Sequence, residues 1–118
     1  EAALKKGDLD RWAAADDQFH RILTGECGNS RLARMASTIP DQTHRTRLLT
    51  LRLRPKPLNA SVEHRAIIEA IRIGNARAAA ENAAEHRRRA SQIMIPLLEK
   101  INSFGPLPAD LNSGESQR

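Results

Sequence analysis

Apolar and polar residues follow a helical spacing along nearly the whole chain. Apolar positions recur at steps of three and four, and no segment shows the two-residue alternation of a β-strand. A short helical stretch at the start ends at Gly7 and Asp8, and the next helix is predicted over about residues 9–23. The pattern therefore predicts an all-α fold.

Turn-forming residues mark where the later helices begin and end. Gly28 and Asn29 follow the helix over residues 9–23, and Ser30 is expected to cap the next helix. Pro40 is expected to kink that helix or to split it in two.

Two further helices are predicted in the second half of the chain, after a proline-rich loop. Ser61 is expected to cap the first of them, and Gly74 with Asn75 separates it from a long final helix. We expect residues 1–104 to form one partial domain and residues 105–118, which are rich in Gly, Pro and polar residues, to be a disordered tail.

Composition narrows the classes of protein to which the chain can belong. Of its 118 residues, 40% are hydrophobic but only 3% are aromatic, which predicts an aliphatic core and disfavours base stacking on aromatic platforms. The single cysteine, Cys27, excludes an internal disulfide and a multi-cysteine metal site. The 19 Lys and Arg against 14 Asp and Glu give a net charge of +5, which is interpreted as a solvated helix surface.

Two features bear on where the protein works. No apolar run is long enough to span a bilayer and no signal peptide opens the sequence, which favours a cytoplasmic protein with no membrane partner. The chain begins at Glu1, within what looks like a helix already under way, so we interpret it as an N-terminally truncated piece of a longer protein.

Four polar residues interrupt the apolar stripes of three predicted helices. Asp16 and His20 are four residues apart and share one helix face, while His64 and His86 each lie on an apolar stripe of a later helix. A buried, unpaired carboxylate is costly, and a divalent cation bound by one carboxylate and three imidazoles would remove that cost. Spacing alone leaves two interpretations open, a metal site and histidines that are hydrogen-bonded core residues.

Several short motifs together resemble one family of effector domains. Residues 16–20 match a D-x-x-F-H motif, residues 28–32 a G-N-x-x-L turn, and residues 61–64 an S-x-E-H segment. His86 follows in an alanine-rich helix. Over about residues 4–101 the chain resembles the FadR C-terminal domain (FCD) family, the effector-binding domains of GntR-type bacterial transcription regulators.

This resemblance implies a fold, a site and a set of partners. The fold would be an antiparallel helical bundle with a central metal and ligand cavity, here with its first helices missing. The ligands of a divalent ion would be Asp16, His20, His64 and His86, a donor set that suits Zn, Ni, Fe or Mn. A small carboxylate effector would modulate DNA binding by a homodimer through a winged helix-turn-helix domain that is absent from this chain.

Residues around these ligands are candidates for binding the effector. Arg47 is the candidate for the far end of the acid, and Asn82, one turn before the last ligand, is the second candidate. His44 matches no ligand position. Asp17 and Glu63 are predicted to point away from the ligands, so no general base and no catalytic residue is predicted.

Three functions from different classes stay open. A non-enzymatic effector sensor agrees with the four inward ligands and with the family resemblance. A metal-dependent enzyme on the same bundle would need a general base that the sequence does not supply. A metal-free basic binding module would follow from the positive charge. If the first helices are missing, the chain should expose apolar surface and be unstable alone or pair with a second copy.

Overall fold

The computed structural model describes residues 1–103, and within that range it contains six helices and no strand. The helices are α1 (Ala2–Lys5), α2 (Leu9–Gly25), α3 (Ser30–Ala36), α4 (Thr38–Thr50), α5 (Leu58–Arg72) and α6 (Ala76–Ser103). The predicted all-α fold is confirmed. None of these helices is long and apolar enough to cross a bilayer. The tail expected at residues 105–118 lies outside the described residues.

Turns with glycine in the left-handed region separate the helices where the sequence predicts them. Gly7 has a φ of 72° and leads into α2, whose N-terminus is capped by Asp8 accepting a hydrogen bond from the Arg11 amide at 3.0 Å. Gly74, also with a φ of 72°, makes the tight turn between α5 and α6.

Two predicted helix caps are wrong. The side chain that caps α3 belongs to Asn29, which is in an extended conformation and accepts a hydrogen bond from the Leu32 amide at 3.0 Å, whereas Ser30 is already helical. Helix α5 begins at Leu58, so Ser61 lies inside it rather than at its cap. The reason is Pro57, whose restricted φ allows the helix to begin directly after it.

The helix interruption expected near Pro40 is present, but it lies earlier. Helix α3 ends at Ala36 and α4 begins at Thr38, with Ser37 between them. Pro40 therefore stands in the first turn of α4, where the backbone N–H that proline lacks has no partner within the helix.

Helix α4 connects the first helices of the chain to the last one. Helices α5 and α6 form an antiparallel hairpin that packs along its length, α4 contacts both α2 and α6, and α1 and α3 pack on α2. A small apolar cluster joins α1, α2 and the end of α4 through the buried residues Leu4, Trp12, Ala13 and Leu51. This arrangement brings the middle of α2 next to the hairpin.

Many large apolar side chains of the described residues lie on the surface. Met35 and Val62 are 70% and 64% exposed. Ile68 and Ile71 of α5 are each about half exposed. Helix α5 therefore buries Ile67, which is 1% exposed, and leaves Ile68 and Ile71 partly uncovered.

Candidate metal centre and effector cavity

Four side chains from three helices meet at one point in the interior. Helix α2 supplies Asp16 and His20, α5 supplies His64, and α6 supplies His86. Asp16, His20 and His86 are 5%, 2% and 6% exposed, and His64 is half-buried. The structure thus brings together all four residues that the sequence selects as candidate ligands.

The spacing of the donor atoms fits a single metal ion. His86 Nε2 lies 3.3 Å from His20 Nε2 and 3.3 Å from His64 Nε2. Asp16 Oδ1 lies 3.4 Å from His64 Nε2 and 3.8 Å from His20 Nε2. With metal–nitrogen bonds of about 2.1 Å, neighbouring ligands around one ion are about 3.0 Å apart in an octahedron and about 3.4 Å apart in a tetrahedron.

Aromatic packing orients two of the imidazoles. Phe19 stacks on His64 with 4.0 Å between ring centroids and contacts His20 edge-on at 5.1 Å. The D-x-x-F-H motif therefore supplies two candidate ligands and the ring that packs against imidazoles from α2 and α5.

Glu63 faces the centre, so the prediction that it points away is wrong. Its Oε2 lies 2.7 Å from His86 Nδ1, and its Oε1 accepts a hydrogen bond from Arg89 at 2.7 Å. The carboxylate accepts the Nδ1 proton, and in the neutral tautomer of His86 this leaves the lone pair on Nε2, which faces the other candidate ligands. A helical wheel misses this residue because the long Glu side chain reaches from α5 to α6, which one helix alone does not reveal.

Arg47 lies inside the fold beside the candidate ligand Asp16. Its Nε is 2.7 Å from Asp16 Oδ2, and the two groups form an ion pair. The N–H is not aligned for a hydrogen bond, so Asp16 Oδ2 has no hydrogen-bond donor. Arg47 Nη1 lies 4.0 Å from Asp17 Oδ1. Asp17 also accepts a hydrogen bond from Arg21 at 2.6 Å and lies 3.7 Å from His44, both outside the histidine cluster.

Asn82 is placed between two helices. Its Nδ2 donates a hydrogen bond to the carbonyl oxygen of Ala66 at 3.3 Å, which links α6 to α5. Its role in effector binding stays a prediction.

Burial sets the protonation of the cluster. It raises the pKa of Asp16, an effect that the neighbouring Arg47 partly offsets. Burial, together with nearby arginines and imidazoles, lowers the pKa of His20 to about 2 and that of His64 to about 4. Burial also acts to raise the pKa of Glu63, but its hydrogen bonds with His86 and Arg89 outweigh it and hold the pKa below its usual value. Neutral His20 and His64 imidazoles beside the buried Asp16 carboxylate form a donor set suited to a divalent cation.

A cavity of about 270 Å³ opens beside this centre, between α2, α4, α5 and α6. Asp16 and His86 lie on its wall, and part of the wall is apolar. Its basic lining residues are Arg47, Arg54, Lys56, Arg87 and Arg89. The volume is just below the range of about 300–1,000 Å³ typical of drug-sized ligands, so the cavity suits a small anion.

Three of these arginines, Arg54, Arg87 and Arg89, were not among the residues selected from the sequence. Arg54 lies over the Trp12 ring, with 5.6 Å from its guanidinium carbon to the ring centroid. Arg87 Nη2 lies 3.3 Å from His20 Nδ1. Arginine is too common in this chain for its position alone to indicate a site, although Arg87 directly follows a candidate ligand.

The family of the chain follows from its match to a known domain. The FCD domain matches residues 1–89, about three quarters of the sequence. The chain therefore belongs to the FCD domain family, which confirms the resemblance of its motifs. FCD domains are the effector-sensing domains of GntR-family transcription regulators and are a regulatory rather than a catalytic family. No curated protein and no solved structure matches the chain.

Proposed function

We propose that this chain senses a small organic acid through a divalent metal ion held by Asp16, His20, His64 and His86. The observation that carries the proposal is the approach of three imidazole Nε2 atoms, in two contacts of 3.3 Å, beside a buried carboxylate. Zn, Ni, Fe and Mn all accept three nitrogens and one oxygen as ligands.

The ion would supply positive charge to which a carboxylate effector binds. Three neutral imidazoles and one carboxylate leave a divalent ion with a net charge of +1, which favours an anionic ligand. The cavity beside Asp16 and His86 gives such an acid a place in contact with the centre. Arg47, at 2.7 Å from Asp16, would hold that ligand in place and add positive charge to the cavity wall.

A sensor agrees better with the contacts of Glu63 than an enzyme does. Glu63 is the carboxylate that reaches His86, but one of its oxygens contacts His86 and the other accepts from Arg89. A carboxylate with both oxygens hydrogen-bonded in this way orients the His86 imidazole and is poorly placed to take a proton from a substrate.

The proposal includes a homodimer that works in the cytoplasm and binds DNA through a separate winged helix-turn-helix domain. The exposed apolar side chains of the described helices, including Met35 at 70% and Val62 at 64%, support pairing with another apolar surface. Sedimentation equilibrium of the metal-loaded chain tests this part, and a monomer at high concentration would contradict it.

The first experiment measures metal content by elemental mass spectrometry. The protein carries no tag and never meets a chelating column, and it is compared with the His64→Ala/His86→Ala double variant. The matched control is His44→Ala, because His44 lies outside the cluster beside Asp17. We expect about one ion per chain in the parent and the control and none in the double variant. A folded parent without metal, or equal metal in all three proteins, would contradict the site.

A further inference from the structure

The basic side chains that line the cavity outnumber its carboxylates. Two carboxylates line it, and each already faces an arginine. The pairs are Asp16 with Arg47 and Glu63 with Arg89, each with an N···O distance of 2.7 Å. Arg54 and Arg87 line the same cavity, and among the described residues neither has a carboxylate within 4.0 Å.

One edge of the Arg54 guanidinium has no hydrogen-bond partner among the described residues. Its Nε and Nη2 are buried and have no hydrogen-bond acceptor within the described part of the chain. These two nitrogens together form the edge that binds a carboxylate or phosphate through two parallel hydrogen bonds. Trp12 packs on the same group and fixes its position. A buried guanidinium without an acceptor is unfavourable, and a bound anion would supply the acceptor.

Arg87 becomes available when His20 ligates a metal. An arginine only donates hydrogen bonds, so its contact with His20 Nδ1 at 3.3 Å requires a lone pair on Nδ1 and the ring proton on Nε2. An imidazole that binds an ion through Nε2 carries its proton on Nδ1 instead. Arg87 then loses its acceptor and has a free donor at the cavity wall.

We propose that the effector is a small acid with at least two negative charges, whose second anionic group binds Arg54 and Arg87. This inference rests on the proposed function, because the first carboxylate of the acid binds at the metal centre. The ion with its four ligands carries a net charge of +1, and Arg54 and Arg87 add one positive charge each. A monocarboxylate would balance only one of these charges and leave the others unbalanced inside the fold. The second group is either a carboxylate or a phosphate, since both fit the edge of a guanidinium.

Isothermal titration calorimetry on the metal-loaded chain tests the charge of the effector with matched probes. Dicarboxylates of three to six carbons are compared with the monocarboxylates of equal length, and 3-phosphoglycerate is compared with glycerate. We expect the best dianion to bind about 10- to 100-fold more tightly than its monoanion, the effect of one charge-assisted hydrogen-bonded group. The preferred pair distinguishes a second carboxylate from a phosphate.

Variants then test the assigned residues. Arg54→Gln and Arg87→Gln are expected to bring the affinity for the dianion down towards that for the monoanion, and Arg54→Lys to retain part of the difference. The control is Arg52→Gln, because Arg52 is exposed and pairs with Asp10 on the surface. Metal content is measured in every variant.

The outcomes separate this inference from the proposed function. A metal-loaded parent that binds monoanions as tightly as dianions, or that binds no dianion, overturns the effector class and leaves the metal site standing. A clear preference for dianions that both Gln variants keep overturns the assignment of Arg54 and Arg87. A parent that holds no metal overturns the proposed function itself.

Discussion

Two buried regions lie next to each other along α2, and they are stabilised in different ways. One is the apolar cluster of Leu4, Trp12, Ala13 and Leu51, and the other is the polar centre of Asp16, His20, Arg47 and His86. Both are at most 8% exposed. Removing apolar groups from water stabilises the first region by itself, whereas buried charges stabilise a fold only when they have partners.

This difference shows how stability and binding are divided in the fold. Apart from Trp12, which packs on Arg54, no residue of the apolar cluster lines the cavity, so the cluster should stabilise the fold to the same extent in every state of the site. The polar centre holds ionisable groups whose cost depends on what is bound there. Variants in the two regions should therefore respond differently to a metal ion.

The largest effect is expected from Arg47→Gln in the metal-free chain. Removing one partner of a buried ion pair leaves the Asp16 carboxylate without its nearest cation and should lower the free energy of unfolding by about 3–5 kcal/mol. Urea denaturation measures the change. Arg45→Gln, at an exposed position of the same helix, should change it by less than about 0.5 kcal/mol. Equal effects of the two variants would show that the ion pair between Arg47 and Asp16 does not stabilise the fold.

Leu51→Ala should lower the free energy of unfolding almost as much, and by the same amount with and without metal. Leu51 is 3% exposed in the apolar cluster, so truncation should cost about 2–5 kcal/mol in the presence or absence of an ion. Leu49→Ala is the control, because Leu49 is 60% exposed. A cost of Leu51→Ala that changed with metal would show that the two regions are coupled.

Metal removal should destabilise the parent by an intermediate amount. At a free ion concentration of 100 times its dissociation constant, binding adds about 2.7 kcal/mol to the free energy of unfolding. A chelator should therefore lower the melting temperature of the parent and of His44→Ala, but not that of His64→Ala. His64 is the candidate ligand to truncate because it is the most exposed of the four. A chelator effect that persists in His64→Ala would count against this ligand.

Glu63→Ala should weaken metal binding by about 10- to 100-fold, the usual effect of losing a carboxylate that orients a ligand histidine. Glu63→Gln should recover part of the affinity, because its amide oxygen still accepts the His86 Nδ1 proton. Glu69→Gln is the control, since Glu69 is exposed on the same helix and pairs with Arg72. Competition titration with a metal indicator measures all three. Equal affinities of the Ala and Gln variants would rule out orientation by this hydrogen bond.

The smallest effect is expected from Asn82→Ala. Loss of its hydrogen bond to the Ala66 carbonyl should cost about 1 kcal/mol and leave metal affinity unchanged. Thermal unfolding and titration with the best dianion are compared in the parent and the variant. A clear loss of affinity for the acid would place the amide in the effector site, as the sequence predicts.

The helical period of the sequence accounts for the parts of the site that lie on one face of one helix. Asp16 and His20 are one turn apart, and the apolar stripes indicate that His64 and His86 point inward. The sequence could not predict contacts that cross between helices, because these depend on helix rotation and on side-chain length. Glu63 reaching His86, Arg87 reaching His20 and Arg54 packing on Trp12 are all of this kind.

Helix ends show the same limit on a smaller scale. Asn29 and Ser30 are both good caps, and only the backbone conformation of the turn selects Asn29. Pro57 and Ser61 are both plausible starts for α5, and the earlier one is used.

The four candidate ligands come from distant parts of the chain, and this spacing has a kinetic consequence. His20, His64 and His86 are separated by 44 and 22 residues, so one ion bound to all of them closes two long loops, as a removable crosslink would. Helix α2 makes its main contacts with α1, α3 and α4, whereas α5 and α6 are packed along their length. An ion bound there would lengthen the time for which α2 stays docked on the hairpin and would leave the lifetime of the hairpin itself unchanged.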